Sequence, residues 1–356
     1  MRILFVGHTW KGSSARSLCE ALEKIPEVFI DEVGEDHFLP RYRSRILRIF
    51  NRILNFWQVS DLAREVSAKM DALKPDALII YKGFGVRTNL IEEAKACSIL
   101  TVNVFPDLSP HTHGPTLRQT MGMYDLVIST KPFHPDGWQS IYGYTNKCVC
   151  VPHGYDPSVH YWAAPQTEHN FDVVLAASWR PEYHDLMLGF SQAIKGANVR
   201  VGLAGNGWLE HRHQLPSNWE IDGPLYGRAY GDWVRRGKIV IAPVHTQVQI
   251  DGVRQPGDED TTRTYELAAA YCFFLHRRTP FVETVYDEDT EVPMWSTPEE
   301  LAQKVLHYLP LESERQTMAK AAHERAVPSY SIPGRAEQVL QHIRQAIADR
   351  AGDTHS

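Results

Sequence analysis

The sequence lacks most of the features that fix a compartment or a metal at sight. Its five cysteines, Cys19, Cys97, Cys148, Cys150 and Cys272, are scattered and odd in number, with no CxxC pair. That pattern argues against a disulfide framework and a zinc ribbon, and it fits a reducing compartment. No stretch approaches the roughly 20 apolar residues of a transmembrane helix. The opening apolar run, Arg2 to Val6, is too short for a signal-peptide core and ends in a glycine turn at Gly7, so a strand is predicted there and a cytoplasmic chain is expected. Repeats of fixed period and low-complexity segments are missing. So is any excess of positive charge: 37 Lys and Arg stand against 43 Asp and Glu, a net charge of -6. The chain as a whole has no long-range attraction for nucleic acid, and any polyanion site must be local.

What is present is length and alternation. A chain of 356 residues, 43% hydrophobic and 22% charged, is comfortable as two soluble cores of about 150 residues each, which implies a cleft. The first half alternates short apolar runs (Arg2 to Val6, Val28 to Val33, Ala77 to Tyr81, Leu100 to Phe105, Asp125 to Ser129, Lys147 to Val151) with helix-length segments. Runs apolar on both faces predict a parallel sheet covered by helices, an α/β fold. After Val151, dense Pro and Gly punctuation predicts a linker at 153–170 between a domain of 1–152 and one of 171–332. The second half repeats the pattern with strands expected at Phe171 to Ala176, Arg200 to Ala204, Trp219 to Ile221, Ile239 to Ala242, Phe273 to His276 and Glu291 to Met294. A last helix over 333–350, with Ala336, Val339, Leu340, Ile343 and Ile347 on one face, is expected to pack back across the domains, ahead of a frayed end.

In open α/β sheets ligands bind beyond the carboxyl ends of the strands. The sharpest signal there is the acidic, threonine-rich run Gly257-Asp258-Glu259-Asp260-Thr261-Thr262-Arg263-Thr264, leading into the helical pattern Tyr265-Glu266-Leu267-Ala268-Ala269-Ala270. N-cap hydroxyls and free N–H groups at Thr261, Thr262 and Thr264 suit a diphosphate, and Glu266 could take both hydroxyls of a ribose. A capped helix with Glu266 on a solvated face is the competing reading. Ala177-Ser178-Trp179-Arg180-Pro181-Glu182-Tyr183-His184 follows the first strand of the second half; Arg180 is the candidate phosphate ligand there, against a surface ion pair with Glu182. Gly205 and the segment Gly223-Pro224-Leu225-Tyr226-Gly227, with Gly223 and Tyr226, form a candidate base pocket. Gly12 and Ser13, in the turn after the first strand, have the geometry in which N–H groups face an anion.

The run Arg263 to Ala270, with Thr279 to Glu283, Glu291-Val292, Ser296 to Leu301 and Arg335, resembles the GT-B glycosyltransferases, most closely those described as spore-maturation-protein-like. The resemblance implies two Rossmann-like domains, a nucleotide-sugar donor with UDP as the default base, transfer with retention, and no bound metal. It further implies that Arg180 and a neighbouring cation, here His184, neutralise the donor diphosphate. Related enzymes carry a Glu-x7-Glu motif whose second Glu holds the ribose and whose first touches the sugar. Glu266 falls on the second position and Asp258 stands eight residues earlier, a shorter carboxylate whose role Glu259 or Asp260 could take instead. Arg263 joins the donor-binding set.

In the first half, Phe105-Pro106-Asp107-Leu108-Ser109-Pro110-His111-Thr112-His113-Gly114 follows a buried strand, and Asp107, His111 and His113 are candidates to orient an acceptor or touch the transferred sugar. The acceptor is expected among glycans, lipid-linked saccharides, small molecules and proteins. The basic segment 41–57, five arginines among aliphatic and aromatic residues, reads either as a helix packed on the first sheet or as a contact with an anionic bilayer. His211-Arg212-His213 reads as a solvated turn. Two rival functions remain at this stage, a nucleotide-sugar epimerase of the same architecture and a non-catalytic nucleotide-sugar binding protein.

Overall fold

A computed structural model of the chain describes residues 1–10, 13–40, 45–250 and 252–353, with backbone alone for 45–55, 253 and 353. The chain divides into two compact units, residues 1–152 with 332–356, and residues 153–331.

The first unit is a six-stranded parallel sheet of β1 (Arg2–Gly7), β2 (Phe29–Gly34), β3 (Ala77–Tyr81), β4 (Leu100–Phe105), β5 (Leu126–Ser129) and β6 (Lys147–Cys150), in the spatial order β2-β1-β3-β4-β5-β6. The unbroken apolar runs are explained by cover on both faces. Ile3 and Phe5 of β1 enter one core with Ala77 and Ile79 of β3, while Leu4 and Val6 enter the opposite core with Leu78 and Ile80. Each such aliphatic side chain, removed wholly from water, contributes about 1.5–3 kcal/mol. The first core is closed by helix Ser14–Glu23 and by the terminal helix Ile332–Asp353, which supplies Ala336, Val339, Leu340 and Ile343, with Ile347 partly buried beside them. The stripe expected from sequence is thus the face that this helix buries, in the first unit.

Helix Arg45–Leu73 covers the second core through Leu62, Val66 and Met70, whereas Phe56 and Trp57 near its start are about 60% exposed (61% and 59%). The arginines of the basic segment lie outside the described side chains. Among the described residues no helix is long and apolar enough to cross a membrane.

The second unit holds β7 (Phe171–Ala176), β8 (Val201–Ala204), β9 (Glu220–Asp222), β10 (Gly237–Ala242), β13 (Phe274–Arg277) and β14 (Met294–Trp295), all parallel, in the order β14-β13-β10-β7-β8-β9. Strands β11 (Gln247–Ile250) and β12 (Val253–Pro256) form a separate antiparallel pair. The sheet grows from β7 to β9 on one side and restarts at β10 on the other, so β7 and β10 flank a topological switch point, where loops leaving the two strands diverge and open a crevice. Residues 153–170 pack within this unit: the N–H of Trp162 donates to the carbonyl of Ala269, and the Arg228 guanidinium lies 3.7 Å from the Trp162 ring centre. The last strand is displaced from the expected Glu291 to Met294. Pro293 has no N–H for a ladder, and Glu291 is engaged by Arg325 and by the N–H of Asp287.

Candidate functional site

The carboxyl ends of β7 and β10 carry the charged residues singled out from the sequence. Arg180 is the N-cap of helix Pro181–Ala193 and stands exposed at the end of the loop from β7. The competing reading, an ion pair with Glu182, does not hold, because Glu182 reaches the loop after β10. There His245 Nδ1–H donates to Glu182 Oε2 at 2.5 Å, and the Thr246 hydroxyl donates to Oε1 at 2.8 Å. The same loop is locked at its far end, where the N–H groups of Gly257 and Asp258 donate to the carbonyls of Thr246 and His245. A Cβ at residue 257 would lie 1.9 Å from the His245 carbonyl oxygen, so only glycine permits this approach. Asp258 is thereby fixed beside His245, half-buried.

Arg263, one residue into helix Thr262–Ala269, donates to the carbonyl of Pro243 at 3.0 Å and reaches the Tyr183 hydroxyl at 3.5 Å. Its Nε–H is buried with no acceptor among the described residues. Burial pushes the Tyr183 phenol above its ordinary value. The fields of Arg263, Arg180, Asp258 and Glu182 also act on it, which marks these four charges as neighbours. Tyr230 is raised further still, again by burial first, then by Glu266, with Arg263 opposing. Arg263 is therefore the link between the Arg180 end of the site and Glu266. Glu266 itself is not on a solvated face: its side chain is 14% exposed, with His160 Nε2 3.7 Å from Oε1.

Several candidates turn out to serve the fold. His184 falls on the inward side of the first turn of its helix, is 6% exposed and accepts a hydrogen bond at Nδ1 from the Trp179 indole at 3.2 Å. It does not stand at the surface as a second phosphate cation; it holds Trp179, which stacks on His211 with ring centres 3.8 Å apart. His211 is thus part of the packing and not simply a solvated turn residue. Thr264 is fully buried; its hydroxyl accepts from the N–H of Thr261 and meets His276 Nε2 at 2.8 Å. His276 Nδ1 faces the Arg277 carbonyl, so Nδ1 carries the proton and Nε2 accepts from Thr264; burial holds this imidazole neutral, down to about 4. Asp260, also fully buried, accepts from the Tyr265 hydroxyl, and Glu259 accepts from the N–H of Phe281, so neither substitutes for Asp258. With Thr261 and Thr264 joined to each other, the first-turn N–H groups of Thr262 and Arg263 are those left to an anion.

Gly205 ends β8 at φ 144°, with its N–H directed at the carbonyls of Asp222 and Gly223. A Cβ there would lie 2.0 Å from the Ala177 carbonyl oxygen, so this glycine lets the loops after β7, β8 and β9 pack together. Tyr226, beyond Gly223, is 79% exposed.

In the first unit Asp107 forms an ion pair with Lys82 at 2.9 Å and with His113 Nε2 at 3.0 Å. Burial alone would raise its carboxyl, but His113 and Lys82 hold it down to about 2. The two histidines of the His-x-His pattern diverge: His113 turns to Asp107, whereas His111 packs edge-on against Tyr142 and Tyr144. Beneath them His134, wholly buried and held neutral by burial at about 4, donates from Nε2 to the Leu108 carbonyl and accepts at Nδ1 from Ser129. These bonds anchor the loop that carries Asp107. Ser13 is spent as the N-cap of helix Ser14–Glu23, accepting from the N–H of Ala15, and Gly12 lies outside the described residues.

The ion-paired Asp107 makes stability pH-dependent. Its folded carboxyl titrates below the unfolded value of about 4, so its contribution is complete above that value and is lost as the pH falls through about 2. A difference of this size corresponds to roughly 2 kcal/mol. Urea titrations from pH 5 to pH 2 should show that much less acid-induced loss for Asp107→Asn than for the wild type.

The comparisons with known proteins agree with this architecture. Residues 188–341 match the family described as Glycosyl transferase-like. A sucrose-phosphate synthase from Thermosynechococcus elongatus superposes with a TM-score of 0.68 at 11% identity, over 98% of this chain and 99% of that one. HepE from Anabaena, solved in complex with UDP and glucose, gives 0.65 at 13% identity over 97% and 100%. A UDP-N-acetylglucosamine 2-epimerase from Listeria monocytogenes, so described in its structure, gives 0.56 at 12% identity over 98% and 97%. No curated protein matches the sequence. The likenesses give the GT-B fold, and residues 188–341 of the chain are similar to the glycosyl transferase-like family.

Sequence reasoning missed His160, Tyr230, His245 and the bracing role of Glu182. The nearest signal was the Pro-His-Gly-Tyr-Asp-Pro motif ahead of His160. The other contacts join elements far apart in sequence, 63 residues in the case of Glu182 and His245.

Proposed function

We propose that the protein transfers a glycosyl group from a UDP-sugar to an acceptor hydroxyl, with retention and with no resident metal ion, and that the donor lies along the carboxyl ends of β7 and β10. The observation that carries this reading is the continuous set Arg180, Arg263 and Glu266 around Tyr183 and Tyr230. Arg180 and Arg263 offer guanidinium N–H groups to the diphosphate, joined by the amides of Thr262 and Arg263 at a helix N-terminus. Glu266 takes the two ribose hydroxyls, and Asp258 faces the sugar. A UDP complex of HepE, which shares the fold, supports the choice of base.

In the proposed reaction the bond from the anomeric carbon to the diphosphate breaks as the acceptor hydroxyl approaches from the same face. The departing phosphate oxygen takes the hydroxyl proton, so no side-chain base is required. Charges already fixed in place stabilise the leaving dianion without reorganising, which is usually the largest catalytic term.

The test is a thermal-shift panel of nucleoside diphosphates, followed by incubation with the matching sugar nucleotide. A ligand that binds only the folded state raises the melting temperature according to RT ln(1 + [L]/Kd). UDP is expected to give the largest shift, and slow hydrolysis of the UDP-sugar should persist in EDTA. Isomerised sugar nucleotide from donor alone would make the protein an epimerase, and tight binding without turnover would make it a sensor.

A further inference from the structure

Glu266 does not act alone. His160 closes the short helix Pro157–His160, which Asp156 caps by accepting from the N–H and the hydroxyl of Ser158. The preceding Tyr155 is 1% exposed and tied to the end of the unit, its N–H donating to the Tyr330 carbonyl. His160 Nδ1 accepts from the N–H of Asp156 at 3.3 Å, so the proton of the neutral ring lies on Nε2, the nitrogen that faces Glu266 Oε1 at 3.7 Å. Both side chains are 14% exposed. The Tyr230 ring stands edge-on to His160 at 5.9 Å, and its phenol is raised by burial first and then by Glu266, through charge and a side-chain hydrogen bond.

We infer that His160 is a positioning residue: it fixes the rotation of the Glu266 carboxylate and so sets the preference for a ribose over a 2′-deoxyribose donor. A carboxylate accepts from two adjacent hydroxyls only when both oxygens point at the diol. A backbone-anchored ring that keeps its Nε2–H facing one oxygen at 3.7 Å, longer than a hydrogen bond, attracts that oxygen and opposes the rotation that would turn it away. The Tyr230 hydroxyl, buried beside the same carboxylate, limits this motion from a second helix. The linker motif, noted from the sequence as punctuation, is then the bracket that carries this ring to the donor site. The inference rests on the proposed ribose contact of Glu266.

The experiment compares the dissociation constants of UDP and 2′-deoxy-UDP by calorimetry for wild type, His160→Phe, His160→Gln and Glu266→Gln. If another nucleoside diphosphate gives the largest thermal shift, it and its 2′-deoxy form are used. Wild type should prefer the ribose form by about tenfold or more, the loss typical of one polar contact to a charged group. His160→Phe, which keeps the ring but has no N–H, should cut that preference several-fold while leaving 2′-deoxy-UDP binding unchanged. His160→Gln should restore part of it. Equal weakening of both ligands, or an unchanged preference in His160→Phe, would overturn the inference. If Glu266→Gln also leaves the preference intact, or no diphosphate binds, the ribose contact itself is wrong; if only the His160 variants leave it intact, the ribose contact stands and the positioning role falls.

Discussion

Arg180→Ala is expected to lower kcat/KM at least about a hundredfold, with most of the loss in kcat and a melting temperature within a few degrees of wild type. A single preorganised donor aimed at developing negative charge is worth roughly that factor. The exposed position of Arg180 at the start of helix Pro181–Ala193 means that little packing is lost with it. Glu182 is already held by His245 and Thr246, so removing the guanidinium strands no buried carboxylate. Arg180→Lys keeps a positive charge but loses the two parallel N–H donors, and should fall between the two. Steady-state kinetics with a UDP-sugar decide the matter. A loss well under tenfold in Arg180→Ala would leave Arg263 as the cation that matters, since its half-buried guanidinium has an Nε–H with no acceptor.

The fold was legible because its main signal is local. The four central strands of the first sheet, β1, β3, β4 and β5, are short runs buried on both faces, whereas the edge strands β2 and β6 are partly exposed. The hairpin of β11 and β12 went unseen, since Gln-Val-Gln-Ile and Val-Arg-Gln-Pro are short and polar enough to read as loop. The site was legible in kind but not in assignment. Ser13, Glu259, Asp260 and Thr264 have the right chemistry for a ligand, but the structure spends them on a helix cap, a turn, a tyrosine and a histidine. Sequence spacing does not distinguish a hydroxyl that caps its own backbone from one left for a phosphate, because both belong at a helix start. His184 shows the same limit: whether the first turn of its helix points a ring at solvent or at Trp179 depends on the Trp208 loop packed behind it.

Glu266→Ala is expected to raise the donor KM about 30- to 100-fold with a smaller change in kcat, so that it separates from Arg180→Ala in the parameter it moves. On the proposed reading the ribose hydroxyls donate two hydrogen bonds to a charged acceptor, each worth about 1.5–3 kcal/mol, and the lower end of that range summed over two bonds corresponds to a factor near 100. Such contacts would be made in the bound donor as well as in the transition state, so their removal should act on binding more than on the chemical step. The folded state should tolerate the change, because the contact of the carboxylate with His160 is long, at 3.7 Å. Glu266→Asp retracts the carboxylate by one methylene and should recover charge without geometry, giving an intermediate KM. If KM instead stays level while kcat collapses, Glu266 acts on the transferred sugar and not on the ribose, and the donor runs through the site in the opposite sense.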